Sequence, residues 1–154
     1  MRMIGITAGI VFIDNCIKNY MERLGKEANR SYGKVSIRHS QNKGAMYALG
    51  HKKPELVKMA SFVSTIGVAW KWGYATRKKR RKAEQVGYAM LLGGSISNLW
   101  DRWKRGYVVD YIHVNAAYIK KIIFNFSDVC IVFGGIIVAF WELFGKKENT
   151  LKEK

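Results

Sequence analysis

Apolar residues in this 154-residue chain gather into four blocks instead of alternating with polar ones. Met3 to Ile17 carries Asp14 and Asn15 as its strongly polar positions. Leu56 to Thr76 carries two charges, Lys58 and Lys71. Ala83 to Trp100 carries Glu84, and Phe126 to Phe144 carries Asp128 and Glu142. Each block approaches the ~20 residues that cross ~30 Å of hydrocarbon. The pattern predicts four transmembrane helices, over residues 3–20, 56–76, 83–101 and 126–144. Helices in a bundle can turn polar residues toward one another, so a few charges per block are compatible with that reading. Gly5-x-x-x-Gly9, and Gly93 with Ser97, predict close helix packing. Trp70, Trp72, Trp100, Trp103 and Trp141 lie near block ends, where interfacial aromatics belong.

Between the blocks the period changes. Lys34 to His39 alternates polar and apolar, a strand pattern, and Asn42-Lys43-Gly44 reads as a turn leading into Ala45 to Leu49. Tyr107 to Ile112 is a further strand candidate. The expected fold is therefore an all-α membrane protein. Four transmembrane helices carry a small extracytoplasmic β-sheet between helices 1 and 2, in one domain over residues 1–154.

Charge sharpens this picture. Lys and Arg number 27 against 11 acids, a net charge of +16, which favours an anionic partner: nucleic acid or the anionic face of a bilayer. An apolar share of 49%, five Trp and a single Pro, gathered in blocks, favour the bilayer over a soluble nucleic-acid binder. The mean hydropathy of −0.13 is low for a membrane protein, and long charged loops account for it. The run Arg77-Lys78-Lys79-Arg80-Arg81-Lys82 marks a cytoplasmic loop, which puts both termini on the cytoplasmic side. Asp14 and Lys18 stand where a signal-peptide cleavage region would lie, and at i, i+4 they can pair on one helix face. The first block is therefore expected to be retained. Cys16 and Cys130 have no metal-type spacing and read as small core residues.

The candidate chemistry is acidic. Asp110 closes Tyr107-Val108-Val109-Asp110, and Asp128 closes Phe124-Asn125-Phe126-Ser127-Asp128, each where an apolar segment meets water. A carboxylate in low dielectric is costly unless paired, protonated or useful. Two that share a proton can divide the roles of base and acid. Asn98-x-x-Asp101 and Asn125-x-x-Asp128 repeat one pattern, amide and carboxylate on a common helix face. Helix capping is the plain reading of each alone. Asp101 adjoins Arg102 and reads as an ion-pair partner, so Asp110 with Asp128 is the preferred dyad and Asp101 supports it. The three histidines lack metal-ligand spacing, His113 reads as a surface or hydrogen-bonding residue, and no serine lies in a nucleophile elbow. Neither metal nor cofactor is called for. A non-catalytic membrane protein that relays protons or binds a partner through the same acids stays open on these residues alone.

Five motifs carry a resemblance. Asp14-Asn15-Cys16-Ile17-Lys18 is similar to a family pattern Asp-Gln-x-x-Lys, and Asn42-Lys43-Gly44-Ala45-Met46-Tyr47 to Asn-x-Gly-Ala-Ala-Phe. Gly93 to Arg102 follows Gly-Gly-x-x-Gly-Asn-x-x-Asp-Arg. Val108 to Ile112 follows Val-Val-Asp-Phe-Ile, and Phe124 to Asp128 follows Phe-Asn-x-Ala-Asp. Over nearly all its length the chain resembles bacterial lipoprotein signal peptidase, the type II signal peptidase. The resemblance implies Asp110 and Asp128 as catalytic, with Asn42, Gly44, Asn98, Asp101, Arg102 and Asn125 at or supporting the substrate site, and Asp14 and Lys18 holding the bundle. It implies a monomer in the bacterial cytoplasmic membrane with its site near the outer leaflet. The substrate it implies is a diacylglyceryl-modified prolipoprotein, cut just before the lipidated Cys. Ser97 stands for a family Gly, which predicts looser packing there. Ser127 stands for a family Ala, and its hydroxyl is expected to bond the neighbouring catalytic carboxylate.

Overall fold

A computed structural model of the chain describes residues 2–44, 53–78, 80–116 and 119–152. Its helices fall on the four apolar blocks and run past their ends: α1 (Arg2–Leu24), α2 (Pro54–Arg77), α3 (Lys82–Lys104) and α4 (Phe126–Lys152). Pro54 opens α2, where its missing N–H costs nothing. α3 is the central helix and packs against the other three.

Small residues set those approaches. A Cβ added at Gly94 would lie 2.5 Å from the Ser127 carbonyl oxygen, and one at Gly134 would lie 2.6 Å from that of Gly87, so α3 and α4 meet backbone to backbone. A Cβ added at Gly93 would lie 3.0 Å from the Ile10 Cβ of α1, so this glycine admits Ile10. A Cβ added at Gly5 or Gly9 would meet nothing within 4 Å among the described residues, so the expected Gly-x-x-x-Gly contact is not made there and Gly93 makes the α1–α3 approach instead. Ser97 does not loosen α3. Its side chain is fully buried and its hydroxyl donates to Asp14 Oδ2 at 2.6 Å.

The distribution of polarity is inverted relative to a soluble domain. The largest fully buried side chains are Lys18, Val109, Asn125, Asp14, Asp101, Ser97 and Ser127, of which Val109 alone is apolar. Meanwhile Phe12, Leu56, Val63, Trp70, Phe133 and Leu143 face outward. Lipid is as apolar as leucine, so such helices associate through polar groups and close backbones. Among the described residues, only Phe126–Gly145 is long and apolar enough by composition to cross a membrane. The other helices carry charges, several of which the bundle interior absorbs. Cys130 is buried as expected, but Cys16 faces outward and is not a core residue.

The strands form one antiparallel sheet in the order β1 (Arg30–Tyr32), β2 (Val35–Asn42), β3 (Val108–Ala116) and β4 (Ile119–Phe124). This corrects the expectation of a sheet confined between helices 1 and 2. Half its strands come from the α3–α4 connection, because the apolar partner for β2 is the Val108–Ile112 run. The strand expected over Ala45 to Leu49 lies outside the described residues. Val109 and Tyr111 bury one face of β3 against Met21 and Ala28. His113 is buried, not on the surface, with Nδ1 3.2 Å from Ser36 Oγ.

Gly94→Ala should lower the thermal unfolding midpoint in detergent, because the overpacking cost of about 1–3 kcal/mol exceeds the helix-propensity gain of about 1 kcal/mol. An unchanged or higher midpoint would show that α3 and α4 are not in backbone contact.

Candidate active site

Sheet register delivers the first carboxylate. In the β2–β3 ladder Ile37 pairs with Ile112, but the next pairs are Ser40 with Asp110 and Asn42 with Val108. β2 therefore holds one extra residue between Ile37 and Ser40, a bulge. Side chains alternate faces along a strand, so without the bulge Gln41 would share the face of Asp110. With it, Asn42 does, as a diagonal neighbour, and its Nδ2 donates to Asp110 Oδ2 at 2.9 Å. The Asn42 Oδ1 accepts the Gly44 N–H at 2.9 Å, which makes the expected turn.

The β3–β4 hairpin delivers the second. Pairing of Phe124 with Ile112 returns the chain beside Asp110 just before α4 begins. Asn125 caps α4. Its Oδ1 accepts the Asp128 N–H at 2.9 Å, and Asp128 Oδ2 accepts the Asn125 N–H at 3.1 Å, a reciprocal capping pair. The same Asn125 donates Nδ2 to Asp110 Oδ1 at 2.7 Å. One residue thus fixes both carboxylates. The capping reading of Asn125-x-x-Asp128 holds alongside the bridging. That of Asn98-x-x-Asp101 does not, since both lie inside α3.

Asn98 reaches Asp128 from α3, its Nδ2 donating to Oδ1 at 2.8 Å, while its Oδ1 accepts from Lys18 Nζ at 2.8 Å. The reverse amide orientation would aim NH2 at an ammonium and oxygen at a carboxylate, so Lys18 fixes it. Lys18 and Asp14 are fully buried, paired at 2.6 Å along α1 as their spacing suggested. Lys18 also pairs with Asp101 at 3.1 Å. Asp101 in turn pairs with Arg105 and accepts the Val109 N–H at 3.2 Å, which ties α3 to the strand that carries Asp110. Arg102 donates to the Asn98 carbonyl at 3.3 Å and to the Gly44 carbonyl at 3.0 Å, strapping the turn after β2 onto α3.

Burial pushes the Asp110 carboxyl up to about 6, and the neighbouring charge of Asp128 adds to the rise. Hydrogen bonds from Asn42 and Asn125 and the charge of Lys18 oppose it. The described residues hold no cluster of metal-ligating side chains here. The arrangement suits two interacting carboxylates, fed by amide donors, at the junction of sheet and helices.

A sequence model of signal peptidase II matches residues 6–144 of the chain. The chain belongs to the signal peptidase II family. Relatives named lipoprotein signal peptidase include that of Teredinibacter turnerae, 28% identical over 96% of this chain and 90% of its own length. That of Moorella thermoacetica is 29% identical over 90% of each. A 76-residue segment is 40% identical to the protein of Serratia marcescens, over 49% of this chain and 45% of that one. Two solved bacterial membrane enzymes share the fold. One has a TM-score of 0.78 at 23% identity, covering 96% of this chain and 90% of its own. The other has 0.76 at 24%, covering 93% of each.

Within this signal peptidase II family member, the two serines have a joint role that their positions in sequence did not reveal. Ser127 Oγ donates to Asp14 Oδ2 at 2.6 Å, not to Asp128 as expected, and Ser97 Oγ donates to the same oxygen at 2.6 Å. Sequence reasoning also missed Tyr111 and Arg105. The Tyr111 hydroxyl accepts the Phe126 N–H at 3.0 Å and donates to Asp14 Oδ1 at 3.4 Å. Arg105 stands i+4 from Asp101, a signal that was available.

Lys18→Met should lose about 3–5 kcal/mol of stability, since it leaves Asp14 and Asp101 buried short of a cation. Unfolding of the variant in detergent checks this. Native-like stability would mean that the ammonium does not hold the cluster together.

Proposed function

We propose that the chain is an intramembrane aspartic endopeptidase that removes the signal peptide from diacylglyceryl-modified prolipoproteins, cutting just before the lipidated Cys. Asp110 and Asp128 form its dyad. The observation that carries this reading is the single residue, Asn125, bonded at once to both carboxylates. Family membership supports the substrate class.

In this mechanism the dyad holds one proton. The ionised carboxylate takes a proton from a water, which attacks the scissile carbonyl. The protonated one donates toward the carbonyl oxygen, and the roles reverse as the amine leaves. Burial raises the proton affinity of Asp110, which suits it to begin as the acid. Asn42, Asn98 and Asn125 keep both carboxylates aimed, and Arg102 holds the Gly44 turn beside them. Four helices crossing the bilayer, termini cytoplasmic, would set the dyad at the outer leaflet. There a substrate anchored by its acyl chains and apolar signal helix arrives at matching depth, and orientation then contributes to the rate. Outward Phe and Leu over a buried ionic core support the placement.

Asp110→Asn and Asp128→Asn should each fold and insert, yet cut a diacylglyceryl-modified peptide about 1000-fold slower or worse, as loss of either half of an acid–base pair demands. Ordinary cleavage by either variant overturns the assignment. The native rate should fall as pH rises through about 6, because Asp110 then loses the proton it donates. In Asp128→Asn the carboxyl of Asp110 should titrate lower, seen by its infrared band, since a repelling charge is gone. A titration that does not move would mean the two groups are uncoupled.

A further inference from the structure

The half of β2 that runs beside Asp110 has no apolar anchor. Before the bulge, Ile37 packs against the cluster of Met21, Val109 and Tyr111, and Ser36 meets His113. Beyond it stand Ser40, Gln41 and Asn42, all polar, with Gln41 exposed. Burial cannot set the register of such a segment, and a slip of one residue would turn Asn42 away from Asp110. Arg102 fixes its far end through the Gly44 carbonyl. The near end is the bulge itself, where Arg38 and His39 stand against the single Tyr111 of β3.

Arg38 is exposed, whereas His39 reaches α1, its Nε2 2.8 Å from Glu22 Oε1. A carboxylate only accepts, so Nε2–H is the donor. The Tyr107 hydroxyl, one residue before β3, donates to the other oxygen, Oε2, at 3.4 Å. One carboxylate thus meets the strand that carries Asn42 and the approach to the strand that carries Asp110. Glu22 lies four residues beyond Lys18, which lies four beyond Asp14, so the three occupy successive turns on one face of α1. Lys18 fixes the Asn98 amide that bonds Asp128. Glu22, by way of the bulge, stands in the same relation to Asn42 and Asp110. A partly exposed pair such as Glu22–His39 contributes little net stability, so its effect is expected on geometry.

We infer that Glu22 and His39 are positioning residues for the dyad: together they pin the β2 bulge to α1 and so keep the Asn42 amide on Asp110 Oδ2. Their effect on turnover rests on the dyad reading above, and their effect on Asp110 itself does not.

Two readouts test this. The first needs no turnover: the infrared titration of the Asp110 carboxyl in the full Asp128→Asn chain in detergent, where the neighbouring charge is gone. Asn42→Ala should raise that titration by about one unit, since the lost amide had favoured the ionised form. His39→Ala and Glu22→Ala should each raise it too, and neither should add to the effect of Asn42→Ala. The second readout is cleavage of the lipidated peptide with Asp128 in place. His39→Ala should lower kcat about tenfold or more while KM stays within about twofold, as displacement of an aimed group does. His39→Gln, whose amide reaches Glu22 from where Nε2 stood, should recover most of the loss. Arg38→Ala, at the exposed half of the bulge, should match the native chain in both readouts. An Asp110 titration unmoved by His39→Ala and Glu22→Ala, or moved as far by Arg38→Ala, overturns the inference. So does a loss of kcat that His39→Gln leaves in place. A native chain that cleaves nothing would overturn the peptidase reading instead, with the titration still deciding the role of His39.

Discussion

Lys18 is the point on which the remaining geometry turns. An ammonium with no exposure to solvent is tolerable only among anions and acceptors, and it has Asp14, Asp101, Asn98 and Ser97 around it. Desolvating such a group costs several kcal/mol, so a buried ion cluster is a weak source of net stability. What it supplies is specificity of position. α1 contributes the ammonium and one carboxylate, α3 the other carboxylate and the amide, and α4 reaches the cluster through Ser127. The largest fully buried side chains of this bundle are nearly all polar, so apolar burial does little to set its register. The cluster provides that register, and the Asn98 amide passes it on to Asp128.

The sheet solves a different problem, bringing together carboxylates that are separate in sequence. A hairpin spans most of the distance between Asp110 and Asp128, and one capping turn completes it. The bulge in β2 then decides which side chain of the neighbouring strand shares the face of Asp110. These are local devices of turn, bulge and cap. They work because Val109 and Tyr111 on the opposite face of β3 are sealed against Met21 and Ala28, so the strand cannot slip without exposing them.

Helix positions were legible because the apolar blocks are long and sharply bounded. The Asp14–Lys18 pair was legible because i, i+4 spacing is a geometric fact of any helix. The strand at Tyr107 to Ile112 was legible as a short β-branched and aromatic run, yet its partner was not, since pairing over some seventy residues leaves no local trace. The bulge was equally silent: one residue more or less in β2 changes no composition. Ser97 and Ser127 misled for a related reason. Each was judged beside its sequence neighbours, whereas both hydroxyls answer to Asp14 on a third helix. Two small residues that gain hydroxyls on facing helices, both aimed at one oxygen, act as a matched set that no single motif displays.

The hydrogen bonds of Asp110 and Asp128 bear on the acid–base role proposed for them. Asp110 Oδ1 and Oδ2 accept from the amides of Asn125 and Asn42, and Asp128 Oδ1 and Oδ2 from the Asn98 amide and the Asn125 N–H. Every carboxylate oxygen therefore already has a donor from the described residues, and each such bond supports the ionised form. A proton added to the pair must displace one of these donors or turn to a new acceptor. In the proposed mechanism that acceptor is the other carboxylate, water or a carbonyl of the substrate. A carboxyl arranged purely for structure would be expected to satisfy its O–H within the protein, because an unsatisfied buried donor is costly. In the proposed mechanism the acceptor is instead the substrate carbonyl, a partner that a structural ion cluster such as that of Lys18 has no need of.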